Sequence, residues 1–317
     1  MADGGRVLSY IGSKASVATR IRELFLTEWG REALRGATLV DAFAGTGAVT
    51  AAVADLFAAC VVNDAEPYSA AVCVARFAPP RELPDLSYTP ASGGFVEREY
   101  ALNRQFFSPA NGAALDGLRA AIRDRLPPGA ARTYAVGCML MAADRVANTA
   151  GVYGAYLKHL LARAAAPLDV RHPRTASPVP LTVTLGDAEA ACAAAPPGAV
   201  LYLDPPYTAR AYGSNYFVLN VLADVEAEPE LRGVSGIPAS GWRRSAWNTA
   251  AGADASLRRI LKGTPATRCA MSYSSDGLLT ADQARARRRI FFSLFFRSTP
   301  VRRCWPRSQS AAGARAA

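Results

Sequence analysis

The apolar positions of the first 75 residues fall into two periods. Across 16–35 (SVATRIRELFLTEWGREALR), Val17, Ile21, Leu24 and Phe25 recur at helical spacing with charges between them, which predicts a helix. The pattern then shortens to ATLVDAFAG at 37–45, a buried strand ending in a glycine turn. An alanine-rich helix is expected at 48–59, and CVVNDAE (60–66) reads as a second strand closing on acids. Helix, strand, glycine turn, helix, strand is the opening of a doubly wound α/β unit.

From about residue 76 the periodicity stops, and FAPPRELPDLSYTPASGGF reads as loop. Helical patterns occupy 111–126 and 131–164, and LDVRHPRTASPVP (168–180) is a second proline-rich stretch. A strand at 180–188, a short helix at 188–195 and a buried strand at 199–207 follow. Beyond them come a helix at 214–225, a loop at 226–250, a helix at 253–262 and a strand at 266–275. The expected organisation is an α/β core of 1–75 and 181–282, a mostly helical insertion at 76–180, and an atypical tail at 283–317.

Composition narrows the class. Of 317 residues 50% are hydrophobic and 20% charged, which excludes a mainly disordered chain. No apolar run reaches the roughly 18–20 residues of a membrane span, so no membrane partner is expected. The N-terminus, with Asp3 and Arg6 and no apolar core, does not read as a secretory signal. Six cysteines without a C-x-x-C pair, and only two histidines, give neither a disulfide framework nor a metal site, and the expected compartment is the cytoplasm. The net charge of +10 suggests a nucleic-acid surface until it is located. Nine of the 36 basic residues lie between Arg285 and Arg315, which leaves 27 against 26 acidic residues in the first 284. The excess charge belongs to the tail.

Three short segments carry chemistry. In DAFAGTGAVT, Gly45 and Gly47 sit at a strand-to-helix turn, where glycine permits close backbone approach and the helix offers free N–H groups. Thr50 stands where a dinucleotide loop has its third glycine, so the spacing fits the aromatic-x-Gly-x-Gly loop of S-adenosylmethionine (SAM) enzymes better than a pyrophosphate loop. An ordinary tight turn is the alternative. Asp64 ends the next strand, where a carboxylate accepts ribose hydroxyls or simply meets solvent. Asp204-Pro205-Pro206-Tyr207 closes a buried strand with a rigid turn. An aspartate, an oriented carbonyl and an aromatic ring there form a slot for a planar amine. Asp204 accepts one amino N–H, the Pro205 carbonyl the other, and Tyr207 stacks on the base.

Together these residues resemble the D12 class of DNA adenine-N6 methyltransferases, the Dam-like group, of restriction-modification type. YIGSK (10–14) is similar to that family's N-terminal cofactor motif, DAFAGTG (41–47) to its glycine loop, NDAE (63–66) to its ribose acid and DPPY (204–207) to its catalytic motif. Further segments, DRVANTAGVYGAYLK (144–158) and RAYGSNYFVLNVLA (210–223) among them, extend the likeness over about 6–280. The resemblance implies a mostly parallel SAM-dependent methyltransferase sheet and methyl transfer to adenine N6 in double-stranded DNA. The adenine would be flipped out of the duplex, and a cognate restriction endonuclease would be a partner. By it Asp204, Pro205, Pro206 and Tyr207 are catalytic, while Tyr10, Lys14, Asp41, Phe43, Gly45, Gly47, Asp64 and Asp187 bind the cofactor. Target recognition would lie in 76–180, and Trp242, Arg243, Arg244 and Trp247 would contact DNA from their loop or be plain surface. A cytosine-N4 or RNA amino-methyltransferase, or a non-catalytic DNA- or SAM-binding remnant, are the competing readings.

The tail departs from the family pattern. After SYSSDGLL the text becomes RARRRIFFSLFFRSTPVRRCWPRSQS, whose one apolar block is IFFSLFF (290–296). Either the arginines bind nucleic acid, or the reading frame changes near 283–289 and the last strands of the sheet are missing.

Overall fold

The computed structural model describes residues 7–9, 12–240, 245–274 and 277–279, together with the backbone of 290–296. Helix α1 (Ala18–Arg35) leads into β1 (Thr38–Asp41), α2 (Ala48–Val53) into β2 (Ala59–Asp64), and α3 (Pro67–Phe77) leaves the sheet. Three helices follow, α4 (Pro109–Arg125), α5 (Ala130–Arg145) and the short α6 (Ala162–Ala165). The chain returns through β3 (Leu181–Leu185), α7 (Ala188–Ala193) and β4 (Val200–Leu203), then α8 (Tyr212–Asn215) and α9 (Phe217–Ala223). A small antiparallel hairpin, β5 (Leu231–Arg232) and β6 (Ile237–Pro238), precedes α10 (Ala250–Gly263), β7 (Arg268–Ser274) and β8 (Ile290–Phe296).

The main sheet runs β3-β2-β1-β4-β7-β8, with every pair parallel. The doubly wound α/β sheet anticipated from the alternating pattern is therefore present. Chain order reverses between β1 and β4, and in such sheets a crevice opens at the carboxyl ends of the strands on either side of that switch. Val200–Leu203 is buried throughout, as expected of a strand covered on both faces.

Elsewhere the elements differ from the periodic reading. The helix expected over 131–164 stops at Arg145. Beyond it the wholly buried Asn148 organises a loop: its amide donates to the carbonyls of Gln105 and Leu157, both at 2.9 Å, and its Oδ1 accepts from the Leu161 N–H. An asparagine that satisfies that much backbone competes with the helix and ends it. The helix expected at 214–225 is divided at Tyr216 into α8 and α9. Residues 67–77, unassigned by the pattern, form α3 with Pro67 at its first position, where the missing N–H costs nothing. The block IFFSLFF adds a sixth strand, parallel to β7, beyond the point where the sheet was expected to end. The rest of the tail lies outside the described residues.

The helices of 76–180 do not stand apart from the sheet. Tyr68 and Val72 of α3, Leu115 and Leu118 of α4, Met139 and Leu140 of α5, and Phe217 and Leu219 of α9 belong to one buried cluster. Close approach of α3 and α5 depends on Gly137, where a Cβ would strike the Ala71 carbonyl and the Ala75 methyl. Gly137→Ala is expected to force the two helices apart and to lower stability by about 1–3 kcal/mol in denaturant unfolding, with little change for Gly263→Ala, whose Cβ position is open.

Candidate active site

Parallel strands bring their carboxyl ends to the same edge of a sheet, and here each of three neighbouring strands ends at or just before an acid. Asp41 closes β1, Asp64 closes β2, and Asp204 follows β4 directly. All three line one cavity.

Each carboxylate is held differently. Asp41 is 1% exposed; its Oδ2 accepts from the Thr50 hydroxyl at 2.7 Å, and its Oδ1 is buried and accepts no hydrogen bond from the described residues. Burial, only partly offset by the Thr50 hydroxyl and reinforced by the negative charges of Asp204 and Asp64, pushes its pKa up to about 7. Asp64 accepts from the Gly45 N–H at 2.7 Å and the Glu66 N–H at 2.9 Å. Burial raises its pKa, and those backbone donors oppose the rise.

The loop between β1 and α2 fills the space between Asp41 and Asp64. Gly45 (φ 54°) and Gly47 (φ 70°) both occupy the left-handed region, and Gly47 caps α2. At Gly47 a side chain would also meet the Phe77 ring, so the position is closed to Cβ both by conformation and by space. The Gly47 N–H donates back to the Ala44 carbonyl at 2.7 Å, closing the turn.

Opposite this loop stands the catalytic-type turn. Lys14, in a single 3₁₀ turn at Lys14–Ser16, places its Nζ 2.6 Å from Asp204 Oδ2 and 3.0 Å from the Gly12 carbonyl. Asp204 Oδ1 is buried with no hydrogen-bond partner among the described residues. Burial raises the Asp204 pKa, and the Lys14 charge and hydrogen bond oppose that rise. A buried acceptor left unmade costs about 1–3 kcal/mol, so this oxygen has capacity for a donor from beyond the described residues. The Tyr207 ring packs edge-on against Tyr273 at 6.2 Å, and the Lys14 ammonium lies 5.9 Å from its centroid. Gly12 admits no Cβ without meeting the hydroxyls of both Tyr207 and Tyr212 at 3.0 Å.

Of the residues expected at the site, Lys14, Asp41, Phe43, Gly45, Asp64, Asp204 and Pro206 line this cavity. Gly47 and Tyr207 border it through the contacts above, and Pro205 is buried in the turn. Asp187 is placed elsewhere: it caps α7 by accepting from the Glu189 N–H at 2.8 Å, and it lines a separate cavity beside Asn63 and Gly186. Tyr10, Trp242, Arg243 and Arg244 lie outside the described residues. Trp247 is 3% exposed and sets its ring against Phe43, 5.3 Å between centroids, so it packs in the core.

The lining residues not anticipated include Glu66, Tyr202, Tyr212 and Asn248. Glu66 is the second acid of NDAE, and its Oε2 accepts from the Asn220 amide at 2.6 Å. Tyr212 lay in view as the aromatic of RAYGSN, five residues after the turn. Asn248 donates to the Thr208 carbonyl at 2.9 Å, a contact that joins residues 40 apart and leaves no local signal.

Residues 10–241 match the family described as D12 class N6 adenine-specific DNA methyltransferase. The chain is 28% identical to the type II methyltransferase M.NlaIII of Neisseria lactamica over 88% of its own length and 86% of that protein's. It is 31% identical to the type II methyltransferase M.CviAII of Paramecium bursaria Chlorella virus 1, over 86% and 85%. The modification methylase LlaI of Lactococcus lactis is 26% identical over 72% of this chain and 40% of its own length. The order of glycine loop, ribose-type acid and Asp-Pro-Pro-Tyr turn around one cavity accords with these matches, and the chain belongs to the D12 class of N6 adenine-specific DNA methyltransferases.

Proposed function

We propose that the cavity binds SAM beside the glycine loop and receives a flipped-out adenine at the Asp204-Pro205-Pro206-Tyr207 turn. The observation that carries this reading is the pair of buried carboxylate oxygens without a hydrogen-bond partner among the described residues, Asp41 Oδ1 and Asp204 Oδ1, at the ends of adjacent strands beside one cavity. One faces the cofactor side and suits the ammonium of an amino acid moiety; the other suits an exocyclic amine. SAM supplies an electrophilic methyl group on a sulfonium.

The protein's own residues then have separate tasks. Asp64 and the Gly45–Gly47 backbone hold the nucleoside end, with Phe43 beside it. Lys14 favours the ionised form of Asp204 and fixes its Oδ2, so that Oδ1 accepts one N–H of the adenine amino group. The Pro205 carbonyl accepts the other, and Tyr207 stacks on the ring. With both N–H bonds drawn toward acceptors, the N6 lone pair faces the methyl group. With SAM bound, the N6–C bond would form as the methyl–sulfur bond breaks, the sulfonium leaving as a neutral thioether, and the proton that N6 then loses would pass to solvent. Position and fixed charge, rather than acid-base power, supply the rate.

The DNA-facing element is proposed to be the exposed loop at 154–163. No acid occurs from Arg145 to Leu168, while Lys158, His159 and Arg163 are exposed. The loop reaches the catalytic side: the Tyr153 N–H donates to the Asn215 carbonyl at 2.8 Å, and Arg210 lies against Gly154. We further propose that the chain is the modifying member of a restriction-modification pair with a cognate endonuclease. A reducing cytoplasm suits the five buried free cysteines among the described residues.

Three outcomes are expected. Asp204→Ala abolishes methylation of genomic DNA, a loss of at least about 10³-fold in kcat, while binding of labelled SAM stays near wild type; retained turnover would refute the assignment. SAM affinity rises with pH toward about 7 and levels off above it. Asp41 starts from that raised pKa in the free protein, and a cationic ligand favours its ionised form, so binding releases a proton. Asp41→Asn flattens that profile in calorimetry at several pH values. Finally, Lys158→Ala weakens DNA binding equally across sequences and reduces the salt slope by about 1 in fluorescence anisotropy.

A further inference from the structure

We propose that Arg76 is a positioning residue for the methyl donor, acting through the backbone of the glycine loop from the side opposite the cavity. The proposal rests on the reading of this cavity as the SAM site. Ser69, Cys73 and Arg76 lie at i, i+4 and i+7 along α3, one stripe of that helix. All three turn onto the loop. The Ser69 hydroxyl donates to the Gly45 carbonyl at 2.5 Å, the Cys73 thiol approaches the same oxygen at 3.5 Å, and Arg76 Nη1 donates to the Thr46 carbonyl.

Arg76 is an uncommon residue for such a place. It is 8% exposed, and no carboxylate among the described residues lies within ion-pair distance of it. Its guanidinium rests 4.7 Å from the Phe77 ring centroid, which replaces only part of the lost hydration. An arginine buried without a counter-ion is costly, and a neutral or apolar side chain would fill the space at less expense. What the cation supplies is a strong hydrogen bond to a carbonyl of the loop.

That bond fixes the Thr46–Gly47 peptide, whose N–H, on Gly47, closes the turn on the Ala44 carbonyl. The preceding peptide, Gly45 C=O with Thr46 N–H, is fixed by Ser69, and its two polar groups point opposite ways. Arg76 and Ser69 thus hold Thr46 through both of its peptides, and Thr46 lines the cavity. The Gly45 N–H is meanwhile taken by Asp64. The loop is thus gripped from two sides, by an acid at the end of β2 and by the stripe of α3. Gly47 is the space this grip requires, since a Cβ there would meet Phe77 and come within 3.4 Å of Arg76 Nη1.

The test measures SAM and DNA affinity separately in the full-length protein, with labelled SAM in equilibrium dialysis and a labelled duplex in anisotropy. Arg76→Met, which keeps the length of the side chain and removes the charge and the donors, is expected to bind SAM about ten-fold more weakly, as loss of one charge-assisted hydrogen bond implies. DNA affinity stays within about two-fold, and kcat at saturating SAM within about three-fold, so the effect falls on KM for SAM. Arg76→Lys retains the cation with one donor in place of a fork and is expected to recover most of the affinity, to within about three-fold of wild type. SAM binding unchanged in Arg76→Met overturns the proposal, as does a parallel loss of SAM and DNA affinity in either variant. If the Met variant does not fold, Arg76→Gln, which keeps a neutral donor and removes the charge, decides: a rise in KM for SAM alone supports the role, and wild-type kinetics overturn it. Wild-type protein that binds no SAM defeats the cofactor reading itself, whereas wild-type binding with both variants unaffected defeats only the role of Arg76.

Discussion

Three acids at the ends of adjacent parallel strands, with one lysine among them, set the terms for the rest of this molecule. Parallel pairing of β2, β1 and β4 places Asp64, Asp41 and Asp204 on one edge, where burial opposes their ionisation. Each is relieved by different neighbours: Asp204 by Lys14, Asp64 mainly by backbone N–H groups, and Asp41 by the Thr50 hydroxyl and the Phe43 backbone. At Asp41 burial, reinforced by the charges of Asp204 and Asp64, outweighs that relief and pushes the pKa up to about 7. A cationic ligand removes that penalty, so the site is electrostatically incomplete without one.

The need to hold Lys14 near Asp204 explains why the helical segment and the sheet share a core. Lys14 comes from the N-terminal segment, 190 residues before Asp204 in the chain. That segment is fixed from the helical side, where the buried Asp144 at the end of α5 accepts from the Ser9 N–H at 2.7 Å and from the Tyr153 hydroxyl at 3.1 Å. The same Tyr153 backbone N–H reaches Asn215 beyond the Asp-Pro-Pro-Tyr turn. Residues 76–180 therefore carry structural weight in the site as well as any contact with DNA, and the boundary drawn at 76 and 180 cuts through one hydrophobic cluster.

The α/β core was legible because its signals are local. A short apolar run ending in Asp41 or Asp64 marks a strand and its acid together, and Gly45 and Gly47 mark the turn between them. The Asp-Pro-Pro-Tyr turn is equally local, since proline fixes its shape within four residues. What escaped was set by partners distant in sequence. The helix expected to continue to 164 ends at Arg145 because Asn148 bonds Gln105, Leu157 and Leu161. Asp187 looked like a third cofactor acid on its strand-end position, yet its side chain closes the first turn of α7, a task that any strand-to-helix aspartate performs equally well. Arg76 gave no sign at all, because a buried arginine that bonds a carbonyl reads in the sequence as one more charge on a helix.

The charge that first suggested DNA also finds its place. Almost all of the net +10 resides after residue 284, while the described part of the chain is close to neutral. Neutrality there is a balance of opposite regions. Acids gather at the strand ends around the cavity, and the stretch from Arg145 to Leu168 is free of acids. A duplex is an anion, and a uniformly basic surface would hold it without directing any base to the pocket. On the proposed reading, an acidic cavity beside a basic loop would repel phosphate from the cavity itself and admit the amino group of a single extruded base. The sum of the charges is uninformative, and their separation over a short distance is what the chemistry needs.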